Sequence, residues 1–451
     1  MRPYLKLLSA ALLFMLAGAA AAQTASSMRL DLKETRLPNG LRVITVEDHS
    51  APVIAIDITY NVGSRDERPG RTGFAHLFEH MMFKGSENVG TGEHFYLVFN
   101  NGGTMNGTTN EDRTTYFEAL PSNQLDLVLF LEADRMRSLV INKANLDNQR
   151  NAVQEERRLS VDNQPYGQSG EVLQGLIYDN FAYKHTVIGS MDDLNAATVE
   201  DVAAFFKTYY APNNAVLTLV GDFRTADALK KIKENFSNIQ RQTDPPSVDM
   251  TEPEQKAERR ASVDDPLARL QQVDIAFKAL PGNTADFYAL QVLSAALQGG
   301  QSSRFYQTLV KEKQLVTNVF GFIDEKRGTG AFYISATVRQ GVRPADVEAA
   351  IYDEIERVKK DGVADWEIQK AKNTTRRNFI NSMQSSLSRA INISVWTVYY
   401  NDPNLINTRL DKVSAVTKAD VLRVANKYLT PANRTVVITT PKKAAPVAGG
   451  Q

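Results

Sequence analysis

Apolar residues follow two periods along this chain, and each period predicts a different element. PVIAIDITYNV (52–62) and ARLQQVDIAFKAL (268–280) concentrate β-branched and apolar residues in short, strand-like runs. LPNGLRVITV (37–46) sets an Asn-Gly pair beside β-forming residues and predicts a hairpin. Over 74–82 the period becomes helical. At roughly 100° per residue Phe74, Leu77, Phe78, Met81 and Met82 share one face of a helix, while His76, Glu79 and His80 cluster on the other.

At longer range the pattern repeats. TVEDVAAFFKTYYAPNNAVLTLV (198–220) aligns without a gap with TKADVLRVANKYLTPANRTVVIT (417–439), pairing Thr198 with Thr417, Asp201 with Asp420 and Pro212 with Pro431. Each copy reads as a Thr-capped helix, a proline turn and a strand. The 219-residue offset is too long for a solenoid unit and suits a duplicated domain. The expected fold is therefore α+β, with two homologous domains, 29–240 and 267–441, each a largely antiparallel sheet packed with helices. RQTDPPSVDMTEPEQKAERRASVDDP (241–266), rich in proline and charge, reads as a linker, and KKAAPVAGGQ (442–451) as a disordered tail.

Composition narrows the setting. Residues 1–22 carry Arg2 and Lys6 ahead of an apolar run that ends in small residues, and read as a secretory signal cleaved near Ala22. No later stretch offers the roughly 20 continuous apolar residues of a spanning helix, and the chain has no cysteine for a disulfide or a lipid anchor. An exported, soluble, periplasmic protein without a membrane span after signal cleavage is expected. Lys plus Arg and Asp plus Glu both total 52, and the absence of a long basic run argues against a nucleic-acid partner.

The helical polar trio carries the chemistry. His76 and His80, four residues apart, project from adjacent turns and can converge on one ion, for which zinc suits the donors. Glu79 stands next to His80, within reach of a metal-bound water. H-x-x-E-H is the inverted form of the H-E-x-x-H metallopeptidase helix. The position 219 residues on carries Ala295, Gln298 and Gly299, so the repeat itself does not demand these residues. A third protein ligand is usual, and His49, His94 and His185 fall in loop-like or strand-end contexts. A carboxylate is the better source, and spacing leaves Glu111, Asp112, Glu118, Glu155 and Glu156 open.

GSRDERPGRTGFAHLFEHMMFKGS (63–86) resembles the signature of the pitrilysin, insulin-degrading enzyme and mitochondrial processing peptidase family, in its branch of short two-domain subunits. The resemblance extends over nearly all of the chain after the signal. In that family the third zinc ligand is a glutamate in a VVxEE-like helix downstream; NAVQEERR matches, which implies Glu156, 76 residues after His80, ahead of Glu155. GGTMNGTTNEDRTTYFEALP (102–121) is similar to the family's NAxTxxDxTxY segment, an edge strand to which the peptide substrate adds. This implies substrate contacts at Asn106, Gly107 and Thr108, with Phe83 lining the pocket for the residue after the cut bond.

Two departures stand out. Gln149 stands where the family often carries another glutamate, seven residues before the ligand, that supports the metal. GGQSSRFYQTLVKEKQLVTNVF places Val310 and Thr317 where active members carry an Arg and a Tyr, and Arg304 and Tyr306 have the wrong spacing. The resemblance thus implies a Zn2+-dependent endopeptidase subunit acting on peptides or unfolded segments in the periplasm, completed as a hetero-oligomer by a homologous subunit that supplies Arg and Tyr. The alternatives are a non-catalytic scaffold and a peptide-binding receptor of the same fold.

Overall fold

The repeat seen at 198 and 417 is one part of a duplication that runs through the computed structural model, which describes residues 29–442. The expected signal, 1–22, and positions 443–451 of the expected tail lie outside the described residues. The first half contributes β1 (Lys33–Arg36), β2 (Arg42–Glu47), β3 (Val53–Tyr60), β4 (Thr104–Thr109), β5 (Thr114–Pro121) and β6 (Ala215–Gly221), in sheet order β1-β2-β6-β3-β5-β4. Its main helices are α1 (Phe74–Met81), α2 (Glu93–Asn100), α3 (Leu125–Ser138), α4 (Lys143–Arg157), α5 (Gly167–Ile177), α6 (Val199–Tyr209) and α7 (Thr225–Phe236).

The second half contributes β7 (Arg259–Asp265), β8 (Gln272–Lys278), β9 (Val316–Ile323), β10 (Ala331–Val338) and β11 (Arg434–Pro441), in order β7-β11-β8-β10-β9. Its helices are α8 (Ala285–Gln298), α9 (Pro344–Asp361), α10 (Asp365–Ser382), α11 (Ser386–Tyr400), α12 (Leu405–Ala415) and α13 (Lys418–Tyr428). Counterparts such as β3 and β8, β6 and β11, and α6 and α13 begin 219 residues apart. The matched threonines cap matched helices: Thr198 accepts from the Asp201 N–H and Thr417 from the Asp420 N–H, each at 3.1 Å, with the aspartate closing the capping box. Each sheet is antiparallel except for one parallel pair, β2 with β6 and β7 with β11.

The stretch read as a linker needs correction at its end. Residues 241–258 form no helix or strand, but 259–265 is β7, one of the two edge strands of the second sheet. Its sequence, RRASVDD, is polar because an edge exposed on one side takes charged residues, and that composition disguised it as linker.

Each half packs its own helices on the inner face of its sheet, around Leu77, Phe78, Leu129, Val153 and Ile232 in the first half and Leu293, Phe332, Ile351 and Val424 in the second. The outer faces are covered by exchange. Helix α5 lays Leu173 and Ile177 on Ala276, Ala331 and Val437 of the second sheet, while its counterpart α11 lays Ile393 and Trp396 on Ile44, Val46, Val216 and Val220 of the first. The two halves therefore share cores across the expected boundary. No helix among the described residues is long and apolar enough to cross a membrane.

Candidate metal centre

Helix α1 begins abruptly. Its N-cap, Gly73, has φ 83° and sits so close to the chain at Ile188 that a Cβ would lie 2.7 Å from the Ile188 carbonyl oxygen, so only glycine fits. Glycine offers no capping side chain. Glu67 supplies one from outside the helix, accepting from the N–H groups of Gly73 at 2.9 Å and Ala75 at 2.8 Å, and His185 Nε2 lies 2.9 Å from the same carboxylate. On the apolar face, Phe78 packs against Tyr210 with ring centroids 4.1 Å apart. The helix is thereby held at its start and along one side. The predicted polar face is not open to solvent either: His76 and Glu79 are each 8% exposed.

His76 and His80 lie with ring centroids 4.8 Å apart at 82°. Helix α4 carries Glu156 to them, with its Oε2 3.5 Å from His76 Nε2 and 3.3 Å from His80 Nε2. Those separations exceed a charge-assisted hydrogen bond. They match the roughly 3.3 Å between donors on a tetrahedral zinc with bonds of about 2.0–2.1 Å. Burial, with His80 beside it, pushes His76 down to about 4, so at neutral pH its imidazole is in the neutral form that binds metal. His80, the nearer of the two imidazoles, holds Glu156 below the ordinary glutamate range. Two imidazoles and one carboxylate are a donor set that fits zinc.

The other carboxylates left open by spacing are engaged elsewhere. Glu111 pairs with Lys326 at 2.7 Å, Asp112 with Arg65 at 2.8 Å and Glu155 with Arg158 at 3.0 Å. Glu118 lies 2.6 Å from His94 in a buried group with Glu132 and Arg135. His94 is therefore helical, in the first turn of α2, rather than in a loop or strand end. The Arg135 guanidinium, paired with Glu132, already provides that group's cation. Burial pushes Glu132 up to about 7 and, with Arg135 nearby, His94 down to about 3.

Glu79 lines the same cleft, of about 340 Å³, as His76, Glu156, Gly107, Thr109 and Ile188. Burial pushes its carboxyl above the ordinary range, opposed chiefly by a hydrogen bond from Thr109 Oγ1 to Glu79 Oε2 of 2.6 Å. Strand β4 is an edge strand, paired only with β5. Of the expected substrate contacts, Gly107 faces Glu79: a Cβ there would lie 3.1 Å from Glu79 Cγ. Thr108 also lines this cleft, with its Oγ1 accepting from Arg113, whereas Asn106 is not among the lining residues and its Oδ1 accepts from the Gly107 N–H. Phe83 is half-buried, 4.9 Å from the Phe95 ring and 5.6 Å from Tyr116.

Gln149 donates to Asn148 and makes no hydrogen bond to the trio among the described residues. His76 Nδ1 is buried and has no hydrogen-bond partner among the described residues. Glu67, Thr109 and His185 were not found from sequence. Only Glu67 left a signal, an acid upstream of a helix whose own first residues offer no cap.

The second half holds no such centre among the described residues. In α8, Gln298 donates to Ser294 and to the Tyr333 carbonyl. Val310 packs on the second core and Thr317 is exposed. Arg304 is engaged by Glu367 through two bonds of 2.6 and 2.7 Å.

Two family models match: "Insulinase (Peptidase family M16)" over residues 42–187 and "Peptidase M16 inactive domain" over 196–375. The chain is 31% identical to the zinc protease PqqE of Helicobacter pylori over 90% of its length and 92% of that protein's. It is 24% identical to a probable mitochondrial-processing peptidase subunit beta of Arabidopsis thaliana, over 88% of this chain and 76% of that one. The crystal structure of a protease from Helicobacter pylori superposes with a TM-score of 0.88 at 30% identity, covering 92% of this chain and all of that one. A Pseudomonas fluorescens structure described as a peptidase M16 inactive domain shares the fold, with a TM-score of 0.82 at 19% identity and coverage of 91% and 98%. With the H-x-x-E-H helix, the duplicated sheets and relatives named zinc proteases all in agreement, the chain belongs to the insulinase family of zinc metallopeptidases, peptidase family M16.

Proposed function

We propose that this chain is the zinc-bearing subunit of a periplasmic endopeptidase that cuts peptides or unfolded segments, completed by a homologous subunit supplying an Arg and a Tyr. The observation that carries the reading is the placing of Glu156 Oε2 at zinc-like separations from His76 Nε2 and His80 Nε2, with ligand atoms of all three residues within 4.8 Å of one another, beside Glu79. Zinc held there supplies Lewis acidity and draws the pKa of a bound water towards about 7. Glu79 takes the proton from the attacking water and passes it to the leaving amine. The free edge of β4 offers main-chain hydrogen bonds to an extended peptide, a mode that tolerates many sequences. The partner is inferred from Val310 and Thr317, which offer no Arg or Tyr at the two matched positions, and from Arg304, which is engaged by Glu367. Export to the periplasm rests on the character of residues 1–22 and the lack of cysteine.

The test combines metal analysis with turnover. Wild type is expected to carry one zinc equivalent and His80→Ala none; wild type alone should cleave a quenched peptide slowly, and a homologue bearing the Arg and Tyr should accelerate it. Zinc in neither protein would favour the scaffold. Zinc and peptide binding that survives Glu79→Gln, with no product even from wild type and partner, would favour the receptor.

A further inference from the structure

We propose that Thr109 is a positioning residue for Glu79 and that the second half holds Thr109 in place; this rests on the reading of Glu79 as the base. A glutamate carboxylate turns easily about its last torsion. Two contacts fix this one. Its Cγ lies over Gly107, where there is no side chain to displace it, and its Oε2 accepts from Thr109 Oγ1 at 2.6 Å. The Thr109 hydroxyl has one proton and a second acceptor, Thr114 Oγ1, at 3.3 Å, but the shorter bond to a carboxylate takes it. Thr114 spends its own proton on the Val62 carbonyl at 3.0 Å and does not compete for Glu79. With Oε2 pinned, the orientation of Oε1 is set.

Thr109 is the last residue of β4, so its place depends on the loop at 110–113. That loop is gripped from the second half. Lys326 Nζ, itself only 3% exposed, lies 2.7 Å from Glu111 Oε1; the Arg327 N–H donates to Asp112 Oδ2 at 2.9 Å; and Asn110 Nδ2 donates to Tyr399 OH at 2.7 Å. Arg65 and Tyr183 of the first half bind the other oxygen of Asp112, each at 2.8 Å. A half that brings no catalytic donor thus still sets the geometry of the base.

The experiment reads the affinity of a peptidyl hydroxamate, which chelates zinc and hydrogen-bonds to a neighbouring carboxylate, so neither turnover nor a partner is needed. Thr109→Val should retain zinc and melting temperature yet bind about tenfold more weakly, the size expected for losing orientation by one charge-assisted bond. Thr109→Ser should restore most of the affinity, and Thr109→Val should cost nothing further on a Glu79→Gln background. Lys326→Met should weaken binding by a smaller factor that disappears on a Thr109→Val background. Equal affinity in wild type and Thr109→Val, or a loss that comes with zinc release and is not rescued by serine, overturns the positioning role. Wild type that takes neither zinc nor hydroxamate overturns instead the zinc reading beneath it.

Discussion

Glu67 serves as the cap that α1 lacks, and its position shows how a single buried carboxylate can govern a site it does not enter. It is 9% exposed and accepts two main-chain N–H bonds from the turn that leads directly into His76. Glu67→Ala strands both donors and removes the partner of His185. A cost of about 1–3 kcal/mol or more is expected in denaturant unfolding, with weaker zinc binding in competition against a chromophoric chelator; Glu67→Gln, which keeps one acceptor oxygen, should lose less. The third ligand gives a sharper residue-level prediction. Glu156→Gln should abolish zinc binding and Glu155→Gln should leave it intact, because Glu155 turns to Arg158. His76, Glu79 and His80 were legible because one helical turn gathers them. Glu156 needed the family resemblance, since spacing left five carboxylates equal. Thr109 acts through a contact 30 residues away in the chain, which no local pattern records, and Glu67, 6 to 8 residues before the N–H groups it caps, left only the trace of an acid ahead of an uncapped helix.

At the scale of elements, periodicity tells that a helix has an apolar face but not which sheet will receive it. The strands at 53–60 and 272–278 and the two Thr-capped helices match their patterns. The exchange of α5 and α11 does not follow from any pattern, because both are amphipathic helices at equivalent places and would serve equally well on their own sheets. That β7 belongs to the second sheet was hidden by its charge. The exchange predicts that damage crosses the boundary. Ile177→Ala, in the first half, should cost about 2–5 kcal/mol by opening a cavity under the second sheet. Trp396→Ala, in the second half, should cost about 3–5 kcal/mol under the first. Hydrogen exchange should locate the loosened amides in the opposite half, in β8 and β11 for the first variant and in β2 and β6 for the second.

Across the whole molecule the halves meet along a seam that contains a titrating group. Asp57, fully buried on β3 beneath α11, accepts from Thr59 at 2.7 Å and Thr115 at 2.5 Å, and burial pushes its carboxyl up to about 7. In the unfolded chain the same group titrates near about 4. Between these values the folded state holds a proton that the unfolded state has released, so stability declines as pH rises from about 4 to about 7 and is level above. Glu132, pushed up to about 7, adds a second contribution of the same sign, while His76, pushed down to about 4, and His94, pushed down to about 3, give contributions of opposite sign that end at about 6.5. The wild-type curve alone therefore does not isolate Asp57, but its difference from Asp57→Asn does, since the other groups cancel. Unfolding free energies of the two proteins, measured without metal, should diverge progressively from pH 4 to 7 in favour of the asparagine variant and run parallel beyond. Parallel curves throughout would mean that Asp57 is ionised under α11. Residues 29–240 expressed alone supply the complementary arm: without α11 the outer face at Ile44, Val46, Val216 and Val220 is bared, so the fragment should bind a hydrophobic dye, and Asp57, now near water, should lose its influence on the pH curve. Mixing with 241–442 should restore both the cooperative transition and its pH dependence, because the burial that raises Asp57 is the same burial that joins the halves.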